Sequence, residues 1–191
     1  LIKADGSGEI QHPIKSGFGQ GNPKWALDGK AMVWASAKEG RKSLALQGSR
    51  EVDIYGGFFD QAQYDRYKLS KEDFALLKEK EEKEKQEKDK SADTTAAGKK
   101  KENAKDNAAE KKSWTPSLQD FENRVTRLTI NSSSISDYVI NNDGSKIYYL
   151  ASFEKGFDLW VTEPRTRETK ILAKLGGSPS GIEMSKDGKT L

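Results

Sequence analysis

The chain has 191 residues, with 33 Lys and Arg against 30 Asp and Glu, so a third of it is charged while the net charge is only +3. That balance argues against a dedicated nucleic-acid binder, whose phosphate-tracking surface needs an uncompensated basic face. The absence of cysteine removes disulfides, thiolate nucleophiles and Cys-ligated zinc, and the single histidine, His12, leaves no multi-histidine metal site.

At the N-terminus the chain opens on Leu1, with no signal-peptide hydrophobic core, which reads as a removed leader or as a piece of a longer protein. Leu1-Ile2-Lys3-Ala4-Asp5-Gly6 followed by Glu9-Ile10 reads as an outer hairpin, so residues 1–20 are expected to end a preceding structural unit. His12 stands beside Pro13 with no Gly-x-Ser-x-Gly elbow anywhere in the chain, so a structural or surface histidine is expected rather than a catalytic base. Gly17-Phe18-Gly19-Gln20-Gly21 has the glycines of a phosphate loop but neither the following Lys-Ser/Thr nor a surrounding βαβ unit, and is read as a connecting loop. No cofactor is expected.

Next comes a repeated turn. Pro23-Lys24-Trp25-Ala26-Leu27-Asp28-Gly29-Lys30, Tyr138-Val139-Ile140-Asn141-Asn142-Asp143-Gly144-Ser145 and Ile182-Glu183-Met184-Ser185-Lys186-Asp187-Gly188-Lys189 share Asp-Gly. Five and three residues before each Asp stand Pro23 and Trp25, Tyr138 and Ile140, or Ile182 and Met184, the period-2 spacing of one strand face. Glycine supplies the positive φ that the tight hairpin needs. Runs that are apolar on both faces follow: Ala31-Met32-Val33-Trp34 and Ile147-Tyr148-Tyr149-Leu150, as in strands packed between two sheets. The spacing from Asp143 to Asp187 is 44 residues, the length of a four-stranded propeller blade. The longer spacing from Asp28 to Asp143 resolves if Asp53-Ile54-Tyr55 matches Asp158-Leu159-Trp160, Glu122-Asn123-Arg124-Val125 matches Glu168-Thr169-Lys170-Ile171, and a large insertion separates the third and fourth strands.

The expected fold class is therefore all-β: a partial β-propeller of four-stranded antiparallel blades with a charged α-helical insertion. Residues 21–132 form a blade interrupted at about 61–121, residues 133–176 a complete blade, and residues 177–191 the start of another. Strands are predicted at Lys24–Leu27, Ala31–Ser36, Val52–Phe59, Val125–Leu128, Tyr138–Ile140, Lys146–Ser152, Asp158–Thr162 and Lys170–Leu172. Within the insertion, Ser70-Lys71-Glu72-Asp73 reads as a capping box ahead of Phe74, Leu76 and Leu77. Lys78 to Lys112 holds 12 Lys and 10 acidic residues and no Ile, Leu, Val, Met or aromatic. It can continue a helix on Glu79–Lys83, Glu81–Lys85 and Glu84–Lys88 pairs but has no apolar face. Ser91 to Lys112 reads as a flexible loop and Trp114 to Phe121 as the return to the body. The balanced charge of this tract favours a solvated spacer over an anion-docking surface.

The remaining candidate residues have structural readings too. Asn141-Asn142-Asp143-Gly144 offers oxygen ligands but not the 12-residue spacing of a calcium loop, so a hairpin turn is expected and no metal site. Asp53 and Asp158 occupy equivalent strand positions, which suggests a repeated structural hydrogen bond rather than an acid/base pair. Trp25, Trp34, Tyr149 and Trp160 stand in apolar columns, so core packing is expected over stacking on sugars or peptides. Ser178 and Ser180, in Gly177-Ser178-Pro179-Ser180-Gly181, read as part of a loop. The longest apolar stretch, Ile147 to Ala151, is far short of the roughly 20 residues of a membrane helix, so no span is expected.

The Asp-Gly units resemble the TolB-type propeller repeat. More specifically, the run from Asp53 to Glu72, with Gly56-Gly57-Phe58-Phe59-Asp60 and Tyr64-Asp65-Arg66-Tyr67 within it, is similar to the propeller region of bacterial tricorn-like serine peptidases. The return Asn123-Arg124-Val125-Thr126-Arg127-Leu128-Thr129 adds to the likeness. The resemblance implies a periplasmic or cell-envelope protein in which propellers precede a PDZ-like module and a peptidase domain. It implies peptide or unfolded-protein substrates, and a propeller completed by the rest of the parent chain. No position here matches the family's serine and histidine motifs, so no catalytic residue is assigned. The alternatives are a TolB-type scaffold for protein–protein interaction in the envelope and, third, a lectin-like propeller using exposed aromatics.

Overall fold

The computed structural model describes residues 1–43, 50–93 and 116–191. Four strands, β1 (Gln20–Ala26), β2 (Ala31–Ser36), β3 (Asp53–Phe58) and β4 (Val125–Arg127), form one antiparallel sheet in chain order. A second sheet, also in chain order, contains β5 (Ser134–Ile140), β6 (Ile147–Ser152), β7 (Phe157–Glu163) and β8 (Glu168–Gly177). All eight predicted strands form, with the sequential antiparallel pairing expected.

The second and third Asp-Gly turns share one hydrogen-bond plan. In the second, the Gly144 N–H donates to Asn141 O, and the Asn141 side-chain oxygen accepts from the Lys146 N–H at 2.8 Å. In the third, Gly188 donates to Ser185 O and the Ser185 hydroxyl accepts from the Thr190 N–H at 2.9 Å. Gly29, Gly144 and Gly188 all have positive φ, as predicted. The first turn departs from the plan because Ala26, at the Asn141 position, has no side-chain acceptor. Leu27 and Asp28 instead enter the left-handed region and the Lys30 N–H closes on Leu27 O. No strand follows Asp187-Gly188 among the described residues, and residues 1–19 are not a strand pair. Leu1 and Gln11 exchange two main-chain bonds and Gly6 closes a turn on Lys3, but no ladder connects them, which corrects the hairpin expectation.

Two compact units divide the chain: residues 1–67 with 116–191, and residues 68–115. In the second unit, α2 (Lys71–Asp93) starts at the predicted cap. The Ser70 hydroxyl accepts from the Asp73 N–H at 3.1 Å and donates to the Asp73 carboxylate at 2.9 Å. The helix continues to Asp93, three residues into the stretch expected to be a loop; residues 94–112 of that expectation, and Trp114, lie outside the described residues. In the first unit, the unpredicted helix α1 (Gln61–Lys68) is capped by the Asp60 carboxylate, which accepts from the Ala62 N–H at 2.9 Å. Tyr64 and Tyr67, one turn apart on α1, both pack on Phe58.

The main core lies between the sheets. Alternation in β2 turns Ala31, Val33 and Ala35 toward the second sheet, beside Ile54 and Phe58 of β3. Ile147, Tyr149 and Ala151 of β6 meet them, with Tyr138, Ile140 and Trp160 completing the layer. A smaller core lies on the opposite face of the first sheet, where Met32, Trp34, Tyr55, Phe59 and Phe121 gather. The chain returning from the insertion reaches it by fitting the Phe121 ring where Gly57 has no side chain. Arg124, buried, fixes that return: its guanidinium donates to Phe58 O at 2.8 Å, Gln119 O at 2.8 Å and Ser117 O at 3.2 Å.

Candidate functional site

The chemistry-bearing side chains of the first unit gather on the face of the first sheet that turns away from the second. Trp34 and Tyr55 stack there at 6.2 Å with 19° between ring planes. Leu1 and Ile14 pack on this small core, and the Lys15 N–H donates to the Glu122 carboxylate at 3.1 Å. A groove of about 410 Å³ runs between residues 14–20 and the sheet, lined by Phe18, Trp34, Tyr55, Lys38 and Glu122 among others. The Tyr55 hydroxyl is buried beside the Glu39 carboxylate without closing a hydrogen bond to it. Burial, reinforced by that carboxylate, pushes the phenol far above its usual range, so it stays neutral at physiological pH.

In the same sheet a cluster of hydrogen-bonding side chains surrounds Asp53. Its fully buried carboxylate accepts from Arg127 Nη2 at 2.7 Å, Thr129 Oγ1 at 2.9 Å and Ser132 Oγ at 2.8 Å. Arg127 also reaches Glu39, at 3.1 Å. With both oxygens committed to the last residue of β4 and to the segment after it, Asp53 clamps the outer edge of its sheet. Asp158 stands at the same register in the second sheet, and its Oδ1 accepts from the main-chain N–H groups of Leu175 and Gly176 at 2.7 and 2.9 Å. Those two bonds hold its carboxyl below the usual carboxylate range. The two aspartates therefore hold equivalent positions and each ties its strand to the outer one, but the bond itself is not repeated: Asp53 accepts from side chains and Asp158 from main-chain N–H groups.

The other sequence candidates are dispersed. His12 lines a groove beside Asp120, Glu122 and Asn123, with no serine in its lining, and makes no hydrogen bond among the described residues. Ser180 lies in the exposed segment after β8, where its carbonyl accepts from the Ser136 hydroxyl at 2.9 Å. In the Gly17–Gly21 segment the Phe18 N–H turns back onto the Ser16 hydroxyl at 3.0 Å, a local turn and not a phosphate cradle. The Asp143 carboxylate accepts from the Ser145 N–H at 3.0 Å, as a turn residue does. Trp34 and Tyr149 are buried, at 3% and 1% exposure, as their apolar columns predicted, and Trp160 is half-buried. Trp25 corrects the same expectation: it is 57% exposed, touching Phe59 with ring centroids 5.5 Å apart. Its strand is the edge of the sheet, and nothing described covers its face.

A side-chain junction that sequence reading missed joins the first strands of the two sheets. Asp137 accepts from Lys24 Nζ at 2.6 Å and Asn22 Nδ2 at 2.8 Å on β1, and from the Ile182 N–H at 3.1 Å. Lys24 also donates to Tyr138 O, and the Tyr138 hydroxyl to Asn22 O. Burial alone would raise the Asp137 carboxyl, but these donors together hold it below its usual range. Among the described residues no group of three or more His, Asp or Glu side chains is arranged to hold a metal ion. No protein-family model matches the chain, and neither a curated protein nor a solved structure matches it.

Proposed function

We propose that the chain is a non-catalytic β-propeller segment of a tricorn-like serine peptidase in the cell envelope, where it guides or filters unfolded peptides toward a downstream peptidase domain. The observation that supports the propeller is the sense of stacking. Trp34 and Tyr149 each stand six residues after the turn aspartate, and each pairs with an aromatic of the next strand, Tyr55 or Trp160. Tyr149 and Trp160 face the first sheet, whereas Trp34 and Tyr55 face away from the second. Equivalent faces thus point the same way along the stack, so one operation carries each sheet onto its neighbour. Such head-to-tail packing leaves a complementary face at each end, which is the arrangement a propeller closes into a ring. The peptidase assignment rests on the resemblance of the Asp53–Glu72 run and the Asn123–Thr129 return.

The test has two arms. The chain alone should neither label with a serine-reactive fluorophosphonate nor hydrolyse unfolded casein, because an acyl transfer needs an activated hydroxyl and an oxyanion hole. A longer polypeptide that contains it should do both, labelling at a serine outside these residues. Labelling of this chain at one serine, lost in His12→Ala, would overturn the non-catalytic reading. A longer polypeptide that never labels would replace the peptidase with the TolB-type scaffold.

A further inference from the structure

The second sheet is apolar on both faces, as a sheet is when both are covered. Ile147, Tyr149 and Ala151 meet the first sheet. Alternation turns Tyr148 and Leu150 of β6 the other way, and their partners across the ladder, Val161 and Leu159 of β7, share that outer face. Tyr148 and Leu150 stand five and seven residues after their turn aspartate, the positions at which Val33 and Ala35 of the first sheet pack toward the second. Neither the β2–β3 ladder nor the β6–β7 ladder slips over these residues, so the equivalence holds in space. The segment after β8 meets the second unit at the same positions through which the second unit meets the first. The residue five before each turn aspartate bonds to the residue six before the preceding one: the Tyr138 hydroxyl donates to Asn22 O, and the Ile182 N–H to the Asp137 carboxylate at 3.1 Å. Each turn glycine also lies on the residue just before the preceding turn aspartate. A methyl on Gly144 would meet Leu27 at 2.9 Å, and one on Gly188 would meet Asn142 at 3.9 Å. Asn142 Nδ2 donates to Lys186 O as well, at 3.5 Å, and Ile182 is buried.

We propose that the outer face of the second sheet is the seat of a third four-stranded antiparallel sheet of the same repeat, with residues 182–189 in its first-strand position. Two contacts repeated at matching positions mean that one operation places this segment on the second sheet as it places β5 on the first. That operation selects the occupant. The first strand is in place, so what fits beside it is the three strands that complete its sheet. Their face equivalent to Tyr149 and Trp160 then covers Tyr148, Leu150, Leu159 and Val161. The proposal rests on the propeller part of the proposed function and not on its peptidase part.

The chain has no cysteine, so single cysteines report coverage by their rate of reaction with a maleimide. Tyr148→Cys and Leu159→Cys, at half-buried positions, should react in this chain and about tenfold more slowly in a longer polypeptide that contains it. Urea unfolding confirms that each variant folds. Trp25→Cys, on the outer face of the first sheet, separates two failures. Protection there without protection at Tyr148→Cys and Leu159→Cys would overturn the third-sheet seat and leave the propeller standing. Protection at none of the three would overturn both. Protection already present in this chain and lost on dilution would give the seat to a second copy, and overturn the proposal too. Within the chain itself, Ile182→Ala should lower the urea midpoint, whereas Lys186→Ala, at an exposed position, should not. An unchanged midpoint for Ile182→Ala would show that the segment is not seated, which overturns the proposal by itself.

Discussion

Two residues with nothing in common in the sequence, Asp137 and Gly57, control how the pieces of the first unit meet. Asp137 collects donors from β1 and from the segment after β8, so it is a three-way junction with charge-assisted bonds. Asp137→Ala should destabilise the fold by about 1–3 kcal/mol, because it leaves Lys24 and the Ile182 N–H without their acceptor. Its pH dependence has a definite sign. A carboxyl held below its unfolded value contributes stability that is complete above the unfolded pKa, near 3.8, and is lost as pH falls from there through the lower folded pKa. Urea midpoints of wild type and Asp137→Asn should therefore converge below pH 4; a gap that widens in acid would refute the junction. At Gly57 an added methyl would overlap the Phe121 ring, which is buried and stacked on Phe59 with ring centroids 4.9 Å apart. Gly57→Ala should cost about 1–3 kcal/mol by overpacking, read as a lower urea midpoint with unchanged slope.

Among the elements, the β-strands and their sequential pairing were legible, and what packs against their faces was not. Alternating apolar residues and the Asp-Gly turns locate all eight strands, because a hairpin is a local object whose turn and register are written in neighbouring residues. The repeated carboxylates at Asp53 and Asp158 were legible for the same reason. Trp25 was misplaced because period-2 spacing tells which side chains share a face, not what covers that face. The helix α1 escaped notice because eight residues with two tyrosines carry little periodicity, although Asp60 before Gln61 was a usable cap signal. The Lys24–Asp137 contact spans 113 positions and leaves no local trace. Exposure separates two mutations that the sequence treats alike. Trp34→Ala should cost about 3–5 kcal/mol, as a buried aromatic does. Trp25→Ala should cost less than about 1 kcal/mol, and an equal loss in urea unfolding would show that something covers β1. The insertion should be the most expendable element. Replacing Lys78–Lys112 with a short Gly/Ser linker should change stability by less than about 1 kcal/mol, since loop length enters only logarithmically and no apolar side chain larger than alanine is lost. A loss above about 2 kcal/mol would mean that the charged tract makes contacts its composition does not suggest.

For the molecule as a whole, the decisive feature is that the two sheets share one core rather than owning one each. Val33, Ile54 and Phe58 from the first and Ile147, Tyr149 and Ala151 from the second belong to a single buried cluster. Neither sheet can bury its own inner face alone, as repeat units generally cannot. The second sheet has Thr162 and Tyr149 hydrogen-bonded within that layer at 2.9 Å, so separating the sheets would also expose a polar pair built for a dry site. The two sheets should therefore unfold as one cooperative unit, even though each is complete in its own hydrogen-bond ladder. Single-tryptophan variants test this, because Trp34 reports the first sheet and Trp160 the second. Within each variant, the urea transition read by tryptophan fluorescence should coincide in midpoint and slope with that read by far-UV circular dichroism, which follows both sheets. In addition, Val33→Ala, a change in the first sheet, should shift the Trp160 transition as far as the Trp34 transition. Two separated midpoints, or a Trp160 curve indifferent to Val33, would show that the interface contributes little and that each sheet stands on its own ladder.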